Sequence, residues 1–434
     1  MPLARDNRNE LNLRDRHRMT ERIVIVGAGQ AGVQVAEALR AGGFAGSVTL
    51  LGAENHAPYH RPPLSKAWLA GEATEAQLVL RAPEALARKQ IELRSGATAV
   101  AIDRERRRVR LGDGSELEYD RLALATGATA RRLAIAGASA PNVLVLRSRD
   151  DADAIGRGLA SCLESGRPVA VIGGGFIGLE IAATARKRGV AVTVFEALPR
   201  LMARALAPPL AAWFADLHRR NGVRIELAAR IDRIEQGGAG AGPPATAVVD
   251  GHGESHPAAL VIVGVGVEPD DALARAAGLA CERGIIVDAC GRTDDPLIVA
   301  AGDCTARRVA DGKLVRLESV NNAVEQGRSA AAALLGVERP FVAAPWFWSD
   351  QYDARLQMVG LSAAANRSVV RGDPAAGKFS WFHYRDDRLI AVDSVNAMKD
   401  HLAARKLLDA GRSPSADQVV DPAFDLAGAL ANPS

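Results

Sequence analysis

Residues 22–32 read Arg-Ile-Val-Ile-Val-Gly-Ala-Gly-Gln-Ala-Gly, a short apolar run that ends in spaced glycines. An apolar run of this length closed by glycine is the pattern of a strand buried on both faces of a parallel sheet. Gly27, Gly29 and Gly32 fit G-x-G-x-x-G. The first glycine permits a tight turn, the second lets backbone touch a pyrophosphate, and the third lets helix and strand pack closely. A helical pattern follows from Gly32 to about Leu39, then a second strand at 48–51, with Glu54 just beyond it, placed for a ribose hydroxyl. Phosphates in such a unit sit on the positive end of the helix. A lone glycine match is weak. A strand before it, a helix after it and a carboxylate at the far end together predict a nucleotide site.

The same order recurs at 168–195: strand Val169–Ile172, the turn Gly173-Gly174-Gly175-Phe176-Ile177-Gly178, helix Ile177–Lys187 and strand Val190–Phe195. A repeat of this size implies two nucleotide sites, with Gly173, Gly175 and Gly178 in the second. Glu196 closes its second strand, where a carboxylate accepts hydrogen bonds from a ribose diol. It would repel a 2′-phosphate by about 1 kcal/mol at ~4 Å even in water, so the site should prefer NADH to NADPH. Arg200 and Arg204 nearby are the residues that could offset that repulsion. Two sites in one chain point to FAD plus a nicotinamide. Ala300-Ala301-Gly302-Asp303 supports this, because a carboxylate after a short strand can bind the flavin's ribityl or pyrophosphate part. Taken alone, Asp303 could equally cap a following helix.

The 434 residues suggest about three domains at roughly 150 residues each. A formal net charge of +3 gives no reason to expect nucleic acid as a partner. No apolar run approaches the roughly 18 residues that a membrane span needs. Cys162, Cys281, Cys290 and Cys304 are scattered, without disulfide or metal spacing, and a reduced cytoplasm is the expected location. The eight histidines show no metal-ligand spacing either, and read as surface or structural residues. Residues 1–18, rich in arginine and without an apolar core, read as a disordered leader or an upstream start. Gly112-Asp113-Gly114 and the stretch Gly237–Gly242 with Pro243-Pro244 are hairpin signals. From Phe341 the texture becomes alternating, with Lys378–Tyr384 and Arg388–Val392 as antiparallel strands. The expected architecture is α/β: two Rossmann-like dinucleotide-binding domains plus a C-terminal α+β domain. The expected boundaries are 19–130 with 265–340 for FAD, 131–264 for NAD, and 341–434 for the third domain.

Further landmarks make the sequence recognisable: Arg61-Pro62-Pro63-Leu64-Ser65-Lys66, Ala125-Thr126-Gly127, Leu179-Glu180, Asp295-Pro296, Gly302-Asp303-Cys304, Glu318-Ser319-Val320, Glu325-Gln326 and Pro345-Trp346-Phe347-Trp348-Ser349-Asp350-Gln351. In this order, from about Glu21 to the 390s, they resemble the oxygenase-coupled NADH–ferredoxin reductases, the putidaredoxin reductase-like family of the glutathione reductase fold superfamily. The resemblance implies Gly27, Gly29, Gly32, Glu54, Arg61, Lys66, Thr126 and Asp303 at FAD. It implies Gly173, Gly175, Gly178 and Glu196 at NAD, and Trp348 near the isoalloxazine. Lys66 and Glu180 are the expected catalytic pair beside the flavin, the glutamate reaching from the NAD domain and the ammonium lying near the atom that accepts hydride; the alternative is an ordinary inter-domain salt bridge.

One departure from the superfamily is informative. The disulfide reductases carry a C-x4-C pair after the first βαβ unit, whereas no cysteine precedes Cys162 here. Electrons must therefore leave the flavin directly, one at a time. The resemblance implies an acidic iron–sulfur ferredoxin as acceptor, feeding a haem-thiolate monooxygenase or a ring-hydroxylating dioxygenase. Arg307, Arg308, Lys313 and Arg316 are candidates for a basic docking face, and the run Arg104–Arg108 reads as solvated surface. Two alternatives stay open from sequence: an NADH-responsive signalling flavoprotein like apoptosis-inducing factor, and a reductase of rubredoxin or an organic radical.

Overall fold

The computed structural model describes residues 21–238, 244–309 and 312–430. The expected leader at 1–18 and residues 239–243 of the glycine-proline tip lie outside the described residues. The chain forms two compact units. The first holds the described residues up to His60, Val79–Thr129 and Glu268–Val342; the second holds Arg61–Leu78, Ala130–Val267 and the residues from Ala343 onward.

In the first unit the opening apolar run is the strand Arg22–Val26, third of a five-stranded parallel sheet. The sheet order is Ile298–Ala300, Arg121–Leu124, Arg22–Val26, Ser47–Gly52 and Ile91–Ser95. Val26 lies level with Leu51 on one side and Leu124 on the other. Successive side chains leave a strand on opposite faces. Ile23 and Ile25 accordingly join Val33, Val35, Leu39 and Leu334 in one core, while Val24 and Val26 join Val109, Leu122 and Ile298 in another. Burial on both faces explains why the run does not alternate in polarity. The helix begins at Gln30, two residues earlier than the pattern suggests, so Gly32 lies inside it.

The second unit repeats the plan around Val169–Ile172. Its parallel sheet runs Arg224–Leu227, Val192–Glu196, Val169–Ile172, Leu260–Val263 and Val143–Val145. An antiparallel pair, Ile231–Gln236 with Ala245–Asp250, flanks the glycine-proline stretch. The C-terminal region forms a five-stranded antiparallel sheet, ordered Trp346–Gln351, Ala354–Gly360, Arg388–Val395, Lys378–Arg385 and Arg367–Asp373. Helices Met398–Asp409 and Ala416–Val420 cover it, with Phe382, Tyr384, Val392, Leu407 and Val419 in the shared core. The architecture is thus α/β with two Rossmann-like βαβ sheets and a C-terminal α+β portion. The segment Arg61–Leu78, which follows the first βαβ unit in sequence, packs within the second unit.

Candidate functional site

The two glycine turns are built alike. Gly27 has φ +110, and a Cβ there would lie 2.1 Å from the Ala125 carbonyl oxygen. Gly173 has φ +112, and its Cβ would lie 2.4 Å from the Gly264 carbonyl oxygen. Both positions demand glycine twice over, by conformation and by space. Gly32 and Gly178 demand it by helix packing, since a Cβ would sit 1.8 Å from the Gly27 carbonyl oxygen and 2.1 Å from that of Gly173, respectively.

The middle glycines differ. Gly29 and Gly175 have φ −81 and −83, values open to any residue, and a Cβ at either meets nothing within 4 Å. Nothing among the described residues requires glycine there. Each also caps its helix, Gln30–Ala41 or Phe176–Lys187, with no side-chain hydrogen bond and no acidic residue in the first turn. By contrast, helices Arg149–Ser165 and Val320–Leu334 are capped by the Ser148 and Ser319 hydroxyls. The two glycine-capped ends keep amide donors and room on the same side, which fits a pyrophosphate.

The flanking carboxylates are already engaged. Tyr59 Oη donates to Glu54 Oε2 at 2.5 Å. Glu196 lies in its strand and accepts from the Gly174 amide at 2.7 Å and the Leu198 amide at 2.8 Å, one on each oxygen. It therefore ties the second glycine turn to the strand end. A Cβ on Gly174 would come within 2.5 Å of Leu201 Cδ2 and 3.1 Å of Glu196 Oε2, which accounts for the extra glycine of this turn. Arg200 donates to the Ala203 carbonyl at 3.0 Å, whereas Arg204 is exposed.

Asp303 follows Gly302, which has φ +88, and the next element is the strand Thr305–Arg308. The helix-cap alternative for Asp303 therefore falls. Gln326 Oε1 accepts from the Gly302 amide at 2.7 Å and from Thr305 Oγ1 at 2.9 Å, a hold on this turn that local sequence does not reveal. The Thr126 hydroxyl donates to the Asp270 carbonyl at 2.5 Å, and Arg61 Nη1 to the Arg147 carbonyl at 2.5 Å.

Lys66 and Glu180, 114 residues apart, meet within the second unit: Nζ lies 2.7 Å from Oε2. Phe176, Glu180 and Thr184 recur every four residues and share one helix face. Phe176 packs on Phe347 with ring centroids 4.8 Å apart, and Thr184 Oγ1 donates to the Ser65 carbonyl at 2.9 Å. Glu180 is 4% exposed, and Ser65 Oγ and Ser349 Oγ also donate to it, at 2.5 and 2.6 Å. Short charge-assisted bonds on both oxygens are what a buried carboxylate needs. Trp348 lies one residue from Ser349, on the other face of the strand, half-buried and 5.5 Å from the Trp346 ring. The sequence motifs do not single out Ser65, Ser349, Gln351 or His218 as site residues. The i, i+2 spacing of Ser349 and Gln351 is the signal that could have found those two; His218 offers none.

All four cysteines are free, and burial pushes the Cys304 thiol up to about 11, so it stays protonated. Asp250, Glu254 and His256 bring possible ligand atoms within 4.8 Å of one another. Asp250 there accepts from the His252 and Glu254 amides and meets His256 Nε2 at 3.1 Å, closing the hairpin turn. In the basic cluster, Arg307 donates to the Phe341 carbonyl and lies over the Phe341 ring, Arg316 pairs with Glu318 at 2.6 Å, and Arg308 donates to the Gly312 carbonyl at 3.3 Å; Arg308 and Lys313 are exposed. Arg104 and Arg108 are tied to Asp295, and to Glu116 and Glu118. No helix among the described residues is long and apolar enough to cross a membrane.

Two nucleotide-binding βαβ sheets with an ion pair held by the second define an oxidoreductase scaffold that handles two dinucleotides. The chain belongs to the pyridine nucleotide-disulphide oxidoreductase family, whose model matches residues 21–327, and a reductase C-terminal domain matches residues 346–430. It is 44% identical over 411 residues to rhodocoxin reductase of Rhodococcus erythropolis, covering 94% of each chain. It is 44% identical over 406 residues to the ferredoxin–NAD(+) reductase component of the anthranilate 1,2-dioxygenase system of Burkholderia cepacia, covering 93% of this chain and 98% of that one. The crystal structure of a covalent putidaredoxin reductase–putidaredoxin complex matches with TM-score 0.90 and 42% identity, over 95% of this chain and 98% of the other.

Proposed function

We propose that this chain is an FAD-dependent NADH:ferredoxin oxidoreductase of an oxygenase system, working in the cytoplasm. The pair of glycine turns supports this most directly, because no described residue requires their middle glycines, Gly29 and Gly175. The first turn, with Glu54, Arg61, Lys66, Thr126 and Asp303, takes FAD. The second, with Glu196, takes NADH. Bound FAD supplies the chemistry of accepting a hydride and releasing electrons singly. The chain's own residues position the partners and set the charge around them.

Each glycine-capped helix end holds a pyrophosphate on its free amides. Glu196 accepts from the adenosine ribose diol and disfavours a 2′-phosphate. Glu180 holds the Lys66 ammonium at a fixed point beside the flavin, where it favours the build-up of negative charge on reduction. Trp348 would lie near the isoalloxazine. The four free cysteines, none preceding Cys162, support direct electron exit over thiol exchange. The outgoing carrier is an acidic iron–sulfur ferredoxin that serves a haem-thiolate monooxygenase or a ring-hydroxylating dioxygenase. The names of the similar reductases support that reading.

The test is substitution of Lys66. On the FAD-loaded enzyme at saturating NADH, K66M should slow flavin reduction by roughly 100-fold or more. A rate equal to that of the unaltered enzyme would leave the pair as an ordinary ion pair.

A further inference from the structure

The Lys66–Glu180 pair sits at one end of a longer buried chain of hydrogen bonds. Glu180 Oε1 accepts from Ser349 Oγ at 2.6 Å, Ser349 Oγ accepts from Gln351 Nε2 at 3.1 Å, and Gln351 Oε1 lies 2.8 Å from His218 Nε2. Glu180 is 4% exposed, and Ser349, Gln351 and His218 are fully buried. Three elements of the second unit meet here: helix Phe176–Lys187, strand Trp346–Gln351 and helix Pro208–Arg220.

The chain has one direction. Gln351 Oε1 accepts only, so His218 must carry its proton on Nε2. His218 Nδ1 has no partner among the described residues, and a second proton there would be a buried, unsatisfied donor on a charged ring. The histidine is thus the neutral Nε2–H tautomer. The order is set from the other end: Ser349 spends its proton on Glu180 and so accepts from the Gln351 NH2, which leaves Gln351 Oε1 toward His218. Every proton in the chain points toward the carboxylate. Ser349 and Gln351 reach it together because residues i and i+2 of a strand share a face.

We infer that Ser349 and Gln351, anchored by His218, are positioning residues for hydride transfer, holding Glu180 in the one orientation that places the Lys66 ammonium beside the flavin. This rests on the reading that Lys66 and Glu180 stand at the flavin. Without the Ser349 hydroxyl, Glu180 Oε1 loses its donor and the carboxylate turns to recover one, moving the ammonium with it. Displacements of about 1 Å in a reacting site slow chemistry by up to ~100-fold.

The test uses the holoenzyme and four variants: E180Q, S349A, S349T and Q351M. Three quantities are read: the limiting rate of flavin reduction by NADH, the Kd for NADH, and the oxidised-flavin absorbance envelope. S349A and Q351M should slow reduction by roughly 10-fold, leave the Kd unchanged and shift the envelope in the same sense as E180Q. S349T, which restores a hydroxyl, should recover both rate and spectrum. Q351M keeps the serine hydroxyl and the side-chain volume, so it tests the role even if S349A retains FAD poorly. Impaired E180Q beside unaltered S349A and Q351M would overturn the positioning role, as would failure of S349T to recover. An unaltered E180Q would instead overturn the placing of the pair beside the flavin, and this inference with it.

Discussion

Glu196 bonds the Gly174 and Leu198 amides with its two oxygens, yet a carboxylate offers about four lone-pair sites. It can keep the turn tied and still accept from a ribose. Hydrogen bonds to a charged group contribute about 1.5–3 kcal/mol. E196A should therefore lower kcat/KM for NADH by roughly 10-fold or more while changing that for NADPH far less. Steady-state kinetics with both cofactors measure this; an unchanged ratio would confine Glu196 to its tie with the loop. The residues of the candidate site were legible from sequence wherever a short spacing carried them, as with the glycines and Glu196. The partners of Glu54 and Thr126 were not, because a hydroxyl donor such as Tyr59, or an acceptor such as the Asp270 carbonyl, leaves no mark in the motif.

The glycine turn works as an element, and its glycines should fail differently. G27A forces an l-residue to φ +110 with its Cβ 2.1 Å from a carbonyl oxygen, so stability should fall by about 2 kcal/mol or more. G29A strains nothing in the chain: melting of the apoprotein should stay within ~2 °C of the unaltered protein, while bound FAD per chain falls sharply. Thermal melting with flavin absorbance separates the two, and full FAD retention by G29A would argue against a pyrophosphate at that turn.

Helix Pro208–Arg220 has its own signature. Burial pushes His218 down to about 4 from an ordinary 6.5. The unfolded chain thus gains a proton below pH 6.5 that the folded chain refuses until about pH 4. The stability contributed by the neutral ring is complete above that window and is lost as pH falls through it, on the order of 3 kcal/mol in all. Melting temperature against pH should fall more steeply for the unaltered protein than for H218Q; parallel curves would contradict the buried neutral ring. Strand, turn and helix were legible because their periodicity is local. The meeting of Glu180 with Ser349 across 169 residues, and the packing of Arg61–Leu78 within the second unit, depend on tertiary pairing that no window of sequence records.

At the scale of the whole molecule the chain must pass electrons from a two-electron donor to a one-electron carrier. Of the basic face expected at 307–316, Arg308 and Lys313 are the exposed cations. Rim charges act mainly on association. R308E with K313E should lower kcat/KM for ferredoxin by roughly 10-fold at low salt, with the gap closing as ionic strength rises, and should leave flavin reduction by NADH unchanged. Equal salt dependence in both proteins would move the docking face elsewhere. The most direct test of the central claim is a sequential stopped-flow experiment: reduce the flavin with NADH, or separately with NADPH, then mix with a [2Fe–2S] ferredoxin. NADH should reduce the flavin rapidly, NADPH at least ~10-fold more slowly, and reoxidation should reduce two ferredoxins per NADH. Equal reduction by both nucleotides would contradict the role of Glu196, and a reduced flavin that persists beside ferredoxin would contradict the function itself.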